Sequence, residues 1–219
     1  MVLAKKDILK RIIRGDIVFS PNLDRFQLQP HSIDLRLGYD FHLPKSWEMT
    51  KNGRVAIHID PLEKNNLNFE KILLNKGQYF ELLPNEYVVA TTMEKIELFA
   101  NDLMGVLYPR SSITRRGLAV NLTGLIDVGY RGYLMIPIIN NTDNQIIRVY
   151  PGERICSIIL EELSCSVSKD EASIHGVGKA KYQNNNIGFI GSKTDKQDET
   201  DLIRAGKLIE LKKKYQIKK

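Results

Sequence analysis

YPRSSITRRGLAVNLTGLIDVGYRG, residues 108–132, combines a turn suited to anions with a hairpin of β type. Arg110, Ser111 and Ser112 form a serine-rich turn in which hydroxyl and backbone N–H donors lie beside a forked cation, a donor set that matches phosphate oxygens. Arg115 and Arg116 add positive charge just beyond it. Leu118, Val120 and Leu122 alternate with small or polar residues, Gly124 breaks the run, and Leu125 and Ile126 resume it up to Asp127. That pattern is a strand turning back near the glycine. The tip of such a hairpin exposes backbone groups able to read the edge of a flat base, and Tyr130 offers a face for stacking or for packing under a sugar. Asp127, a carboxylate among apolar neighbours, has the setting of a general base.

Short apolar runs flank this stretch at 78–83, 86–92, 103–108, 133–139, 145–149 and 155–161, with turn signals at Pro84-Asn85, Asn140-Asn141 and Pro151-Gly152. Many short strands separated by such turns predict an all-β barrel or jelly roll. Upstream, Ile33, Leu35 and Leu37 alternate along a strand, so Asp34 and Arg36 share its opposite face. Asp34 there is either an acid that holds water on a magnesium ion or an ordinary strand carboxylate paired with Arg36. A short amphipathic helix is expected over 5–14, where Ile8, Leu9, Ile12 and Ile13 recur at helical spacing and Gly15 supplies a stop. Residues 44–76 are polar and read as an insertion or long hairpin. From 168 the composition shifts to Gly, Asn, Ser and Lys, so a β domain over 1–167 is followed by an arm over 168–219 that ends in a helix at 199–215.

The chain of 219 residues carries a net charge of +6, but seven Lys or Arg against two acids in residues 201–219 account for five of those charges. Solvated helix ends explain such a tail, and a nucleic-acid partner is not expected. Two cysteines, Cys156 and Cys165, are too few for a disulfide scaffold. No apolar run is long enough to span a bilayer, and charges interrupt the first apolar stretch, so the reading is cytoplasmic. His31, His42, His58 and His175 are scattered without metal spacing, and Walker, Rossmann and zinc-deaminase signatures are missing.

Five blocks occur in order: QPHSIDLRLG (29–38), FELLPNEYVVATTMEKIEL (80–98), YPRSSITRRGL (108–118), NLTGLIDVGYRG (121–132) and PGERI (151–155). Together they resemble the trimeric deoxyuridine triphosphatases and their relatives, the zinc-free dCTP deaminases. The resemblance implies a distorted barrel or jelly roll of the dUTPase type, with a short N-terminal helix, and a C-terminal arm that carries a lid. It also implies a homotrimer in which each site draws the hairpin, the serine motif and the lid from different subunits. By the same resemblance Asp127 deprotonates the attacking water, and Arg110, Ser111, Ser112 and Arg115 hold phosphates. Asn121 reads uracil, Tyr130 packs on the deoxyribose, Phe189 in GFIGS covers the base, and Asp34 holds Mg²⁺ through water.

The branch of the family turns on position 137. The deaminases carry a glutamate on the strand after the third block, whereas here that strand reads YLMIPIINNT and Pro137 fills the place. The short hairpin agrees with the triphosphatases, so hydrolysis of dUTP to dUMP and pyrophosphate is the expected activity. Ser157 in place of a phosphate-holding glutamine, and asparagines in place of the lid arginine, keep a non-catalytic or regulatory nucleotide binder as the alternative. A dCTP deaminase stands third.

Overall fold

The computed structural model describes residues 1–62, 69–122, 124–168 and 195–216. In chain order the elements are α1 (Lys5–Ile13), β1 (Ile17–Ser20), β2 (Ile33–Pro44), β3 (Trp47–Thr50), β4 (Gly53–Ala56), β5 (Phe69–Leu73), β6 (Phe80–Leu82) and β7 (Tyr87–Leu98). They continue with β8 (Leu103–Pro109), α2 (Ser111–Thr114), β9 (Leu118–Val120), β10 (Leu125–Ile126), β11 (Arg131–Asn140), β12 (Ile147–Val149), β13 (Arg154–Glu162), α3 (Gln197–Arg204) and α4 (Leu208–Lys214). The chain is mostly β, as the turn-punctuated runs predict, and its described residues fall into two compact units. One comprises 1–44, 69–122 and 124–168; the other comprises 45–62 and 195–216.

The larger unit is built on a nine-stranded sheet whose main path runs β10-β8-β13-β2-β7-β11-β9, with β1 on β7 and β5 on β2, and β12 and β6 pair separately. β2 is its corner. Its first residues pair with β13, from Ile33 opposite Ile158 to Arg36 opposite Arg154, and its later ones pair with β7 and β5. The changeover lies at Gly38, where an added Cβ would meet Thr91 Oγ1 at 2.8 Å and the Thr92 carbonyl at 2.9 Å, so only glycine lets the two strands approach. β11 alternates half-exposed and buried residues throughout, and its inner positions Leu134, Ile136 and Ile138 join Ile33, Leu35, Val88, Ala90, Ile96 and Ile158 in one core. Burying side chains of this size contributes roughly 1.5–3 kcal/mol each against exposure.

α1 docks on this unit through Ile8, which is fully buried, and through an ion-pair clasp. Arg11 donates to Asp16 at 3.1 Å, to Asp102 at 2.9 Å and to Glu162 at 2.6 Å, tying the helix to the β7–β8 turn and the end of β13. Asp102 is held below the usual carboxylate range by the hydrogen bond from Arg11.

Several expectations need correction. The segment 44–76 contains the β3–β4 hairpin in the smaller unit and the strand β5 in the larger, and the serine turn at 111 is the short helix α2. The expected helix over 199–215 is two helices. Gly206, at φ 68°, takes the left-handed conformation, and Lys207 N–H donates back to the Leu202 carbonyl at 2.9 Å, which ends α3. Part of the basic tail is neutralised inside the smaller unit, where Lys214 pairs with Asp198 at 3.2 Å and Arg204 with Asp60 at 3.0 Å. Among the described residues no helix is long and apolar enough to cross a membrane.

Candidate functional site

The surroundings of Arg110 are set by three adjacent strands. Ser157 on β13 is registered opposite Asp34 on β2 and opposite Tyr108 on β8, so these residues form one row across the sheet. Two residues past Tyr108 the chain leaves the strand at Pro109, and Arg110 precedes α2 with an extended backbone. Arg110 therefore reaches back over β13. Its Nε lies 3.3 Å from Asp34 Oδ2, and its Nη1 donates to the Arg154 carbonyl at 3.1 Å. Arg154 donates from Nη1 to Asp34 Oδ2 at 3.0 Å and to the Phe26 carbonyl at 2.8 Å, while Ser157 Oγ donates to Asp34 Oδ1 at 2.6 Å.

Asp34 is only 3% exposed, which corrects its predicted pairing with Arg36. Simple alternation fails here because both faces of β2 are covered: Ile33, Asp34 and Leu35 are all buried, and Asp34 N–H donates to the Gln27 carbonyl in the preceding loop at 2.8 Å. Arg36 turns outward to Asp24 at 2.6 Å. Beneath Asp34 lies a buried polar layer that the sequence reading missed. Gln27 Nε2 donates to the Asp34 carbonyl at 3.0 Å and to Glu94 Oε1 at 2.7 Å, and Arg36 N–H donates to Glu94 Oε2 at 2.9 Å. Burial pushes the Glu94 carboxyl up. The available signal was its place in the period-two run Val88, Ala90, Thr92, Glu94, Ile96 and Leu98, an acid at a core-facing position.

The carboxylate expected to serve magnesium is thus committed on both oxygens to two guanidinium groups and a hydroxyl. Among the described residues no group of three or more His, Cys, Asp or Glu could hold a metal ion. These contacts do not fit direct coordination of a divalent cation by Asp34. Ser111 and Ser112 on α2 and Arg115 just after it are exposed, and Arg116 pairs with Glu153 at 3.4 Å.

The strand expected to turn back near Gly124 does not do so: β9 pairs with β11 and β10 with β8, at opposite ends of the sheet path, and the residues of this stretch lie away from Arg110. Asn121 is exposed at the end of β9, and its N–H donates to the Pro137 carbonyl at 2.9 Å. A proline in a strand flanked on both sides is uncommon, because it lacks the N–H that the ladder requires. Here Pro137 points its carbonyl at β9, the return bond to Asn121 cannot form, and the registered β9–β11 pairing stops at Val120 opposite Ile138. The outward row of β11 is Arg131, Tyr133, Met135, Pro137 and Ile139, without a carboxylate. The histidine in line with Pro137 across β7, His42, is two strands and about 10 Å away and is buried.

Asp127 is half-buried just after β10, and its carbonyl accepts from Tyr130 N–H at 3.0 Å. Tyr130 does not present an open face. It is 7% exposed within the core, and its hydroxyl donates to the Tyr133 carbonyl at 2.9 Å, which corrects the expectation of a ring available for stacking. Phe189 lies outside the described residues.

Asp127 and Arg110 do not converge within one chain. β10 lies on one flank of β8 and pairs Ile126 with Gly105, whereas Arg110 leans over the other flank and lies five residues, about 17 Å, further along the strand.

A family profile described as dCTP deaminase-like matches residues 2–163. A protein named "dCTP deaminase, dUMP-forming" from Methanosphaera stadtmanae is 31% identical over 210 residues, covering 94% of this chain and 99% of the relative. A relative of the same name from Dictyoglomus thermophilum is 34% identical over 187 residues, covering 84% of this chain and 90% of its own length. Among solved structures, the 2′-deoxycytidine 5′-triphosphate deaminase of Agrobacterium tumefaciens superposes with a TM-score of 0.54 at 22% identity, over 78% of this chain and 51% of that one, a likeness of fold. The extent of the profile and the near full-length relatives place this chain in the dCTP deaminase-like family, within the group that also contains the dUTPases.

Proposed function

We propose that this protein hydrolyses dUTP to dUMP and pyrophosphate, in sites shared between the subunits of a homotrimer. The observation that carries the reading is Pro137. Hydrolytic removal of the exocyclic amine of cytosine needs a group that shuttles protons, and the outward row of β11 offers none at this position. Conversion of dCTP into dUMP, the chemistry in the relatives' names, contains two hydrolyses: loss of ammonia and cleavage of a phosphoanhydride. This chain keeps side chains for the second.

Asp127 takes a proton from water as the oxygen attacks the α-phosphorus. The α–β bridging bond breaks and pyrophosphate leaves with the bonding pair. Guanidinium groups offset the charge that develops on the leaving group, with Arg110 fixed beside Asp34 and Arg115 free to approach from α2. Asn121 and the backbone that follows it take the uracil. Because Asp127 and Arg110 stand on opposite flanks of β8, the water and the phosphates are served by different subunits.

Deamination of dCTP is the second reading, favoured by the names of the relatives. The purified protein is incubated with Mg²⁺ and each deoxynucleoside triphosphate, and the products are separated. Hydrolysis gives dUMP and pyrophosphate from dUTP and no ammonia from dCTP. Ammonia from dCTP overturns the reading, and tight dUTP binding without turnover leaves a regulatory binder.

A further inference from the structure

We propose that Asp34 is a positioning residue, locked by Ser157, that presents the Arg110 guanidinium to a phosphate oxyanion without touching substrate itself. The inference rests on the assignment of Arg110 to the triphosphate. An arginine that swings freely loses rotamer freedom when it grips an anion, and one already pinned loses little. Arg110 is pinned on two sides, by Asp34 Oδ2 at Nε and by the Arg154 carbonyl at Nη1, which leaves Nη2 as its free donor edge among the described residues.

The lock works only if the carboxylate itself cannot rotate. Asp34 Oδ2 serves both arginines, and Oδ1 accepts the short hydrogen bond from Ser157 Oγ at 2.6 Å. Ser157 is held directly opposite Asp34 by the β13–β2 register, so backbone pairing fixes the hydroxyl. The side chain of Asp34 is 5% exposed, out of reach of a ligand in bulk solvent. Two guanidinium charges against one carboxylate leave the cluster positive, and an incoming phosphate is still attracted.

Charge and positioning make opposite predictions, so the effect of each can be measured. Binding of the non-hydrolysable analogue α,β-imido-dUTP, and of tripolyphosphate as a probe without a base, is followed by calorimetry on the full chain in Mg²⁺ and in EDTA. Ser157→Ala keeps every charge and is expected to weaken both probes about fivefold to tenfold, the loss of one charge-assisted hydrogen bond acting through the arginine, with Ser157→Thr restoring affinity to within about twofold. Asp34→Asn adds one net positive charge and by Coulomb's law alone tightens binding; positioning predicts about tenfold weakening instead, equal with and without Mg²⁺. In ¹⁵N spectra the Arg110 Nε–H is slow to exchange in the wild type and fast in Ser157→Ala, a signature that loss of general stability does not produce.

Unchanged affinity in Ser157→Ala, tighter binding by Asp34→Asn, or a wild type that binds neither probe overturns the inference. A loss in Asp34→Asn confined to Mg²⁺ also overturns it and makes Asp34 a metal-holding group. Binding of both probes without hydrolysis of dUTP removes the catalytic reading and leaves this inference standing.

Discussion

The separation of Asp127 from Arg110 gives a test that no single variant provides. Asp127→Asn keeps the size of the side chain and removes the proposed base, and Arg110→Ala removes the proposed phosphate grip. Each homogeneous variant is expected to hydrolyse dUTP at least about a hundredfold more slowly than the wild type. The two are then unfolded together in equal amounts and refolded, so that trimers assemble at random. If each site takes Asp127 from one subunit and Arg110 from another, the two choices are independent, and about one quarter of the sites combine two intact groups. The mixture should recover roughly a quarter of wild-type turnover from parents that each retain about one hundredth. Parents mixed while folded should show only the sum of their residual activities. If the refolded mixture stays at that sum although native mass spectrometry shows mixed trimers, both groups act from the same chain, and the argument from the β10–β8 register is wrong.

Arg11→Met should destabilise the fold by about 2 kcal/mol at pH 7, part of three charge-assisted hydrogen bonds being screened by solvent. Because Asp102 is depressed in the folded state, its contribution is present above the ordinary carboxylate range and is lost as pH falls through its folded value. The gap between the urea midpoints of wild type and variant should therefore narrow progressively as pH falls below the ordinary carboxylate range; a gap that stays constant down to the lowest pH at which both still fold would exclude the clasp as the cause. Burial pushes the Cys156 thiol up to about 12, whereas Cys165 is exposed, so a thiol reagent at pH 7.5 should label one cysteine per native chain and two after denaturation. Peptide mapping that finds Cys156 labelled in the native protein would contradict its burial. Tyr130→Phe should lower stability by about 1 kcal/mol through the lost bond to the Tyr133 carbonyl, with little change in discrimination against UTP. Unchanged stability would contradict the hydrogen bond, and a large rise in UTP turnover would give the hydroxyl a part in reading the sugar.

The strands were legible because period-two alternation and the Pro-Asn and Pro-Gly turns act locally. β11 and β13 appear close to where the apolar runs put them. β2 shows the limit. Alternation put Asp34 beside Arg36, but covering both faces of a strand removes the signal that separates them, and the partners Arg154 and Ser157 lie more than a hundred residues downstream. Ser157 read only as a missing glutamine, since no local pattern tells a hydroxyl that its partner is a buried carboxylate. The split of the last helix was legible in Gly206, whose tolerance of positive φ competes with the apolar period on either side.

Pro137 also ties the chemistry of β11 to its backbone pairing. Substituting glutamate would supply a carboxylate and, with it, a backbone N–H facing Asn121. The β9–β11 ladder could then close one bond further, tightening the start of the 121–130 segment against β11 and changing the outline of the space where a base would rest. Chemical group and pocket shape are thus coupled at one position, so a substitution there changes both together.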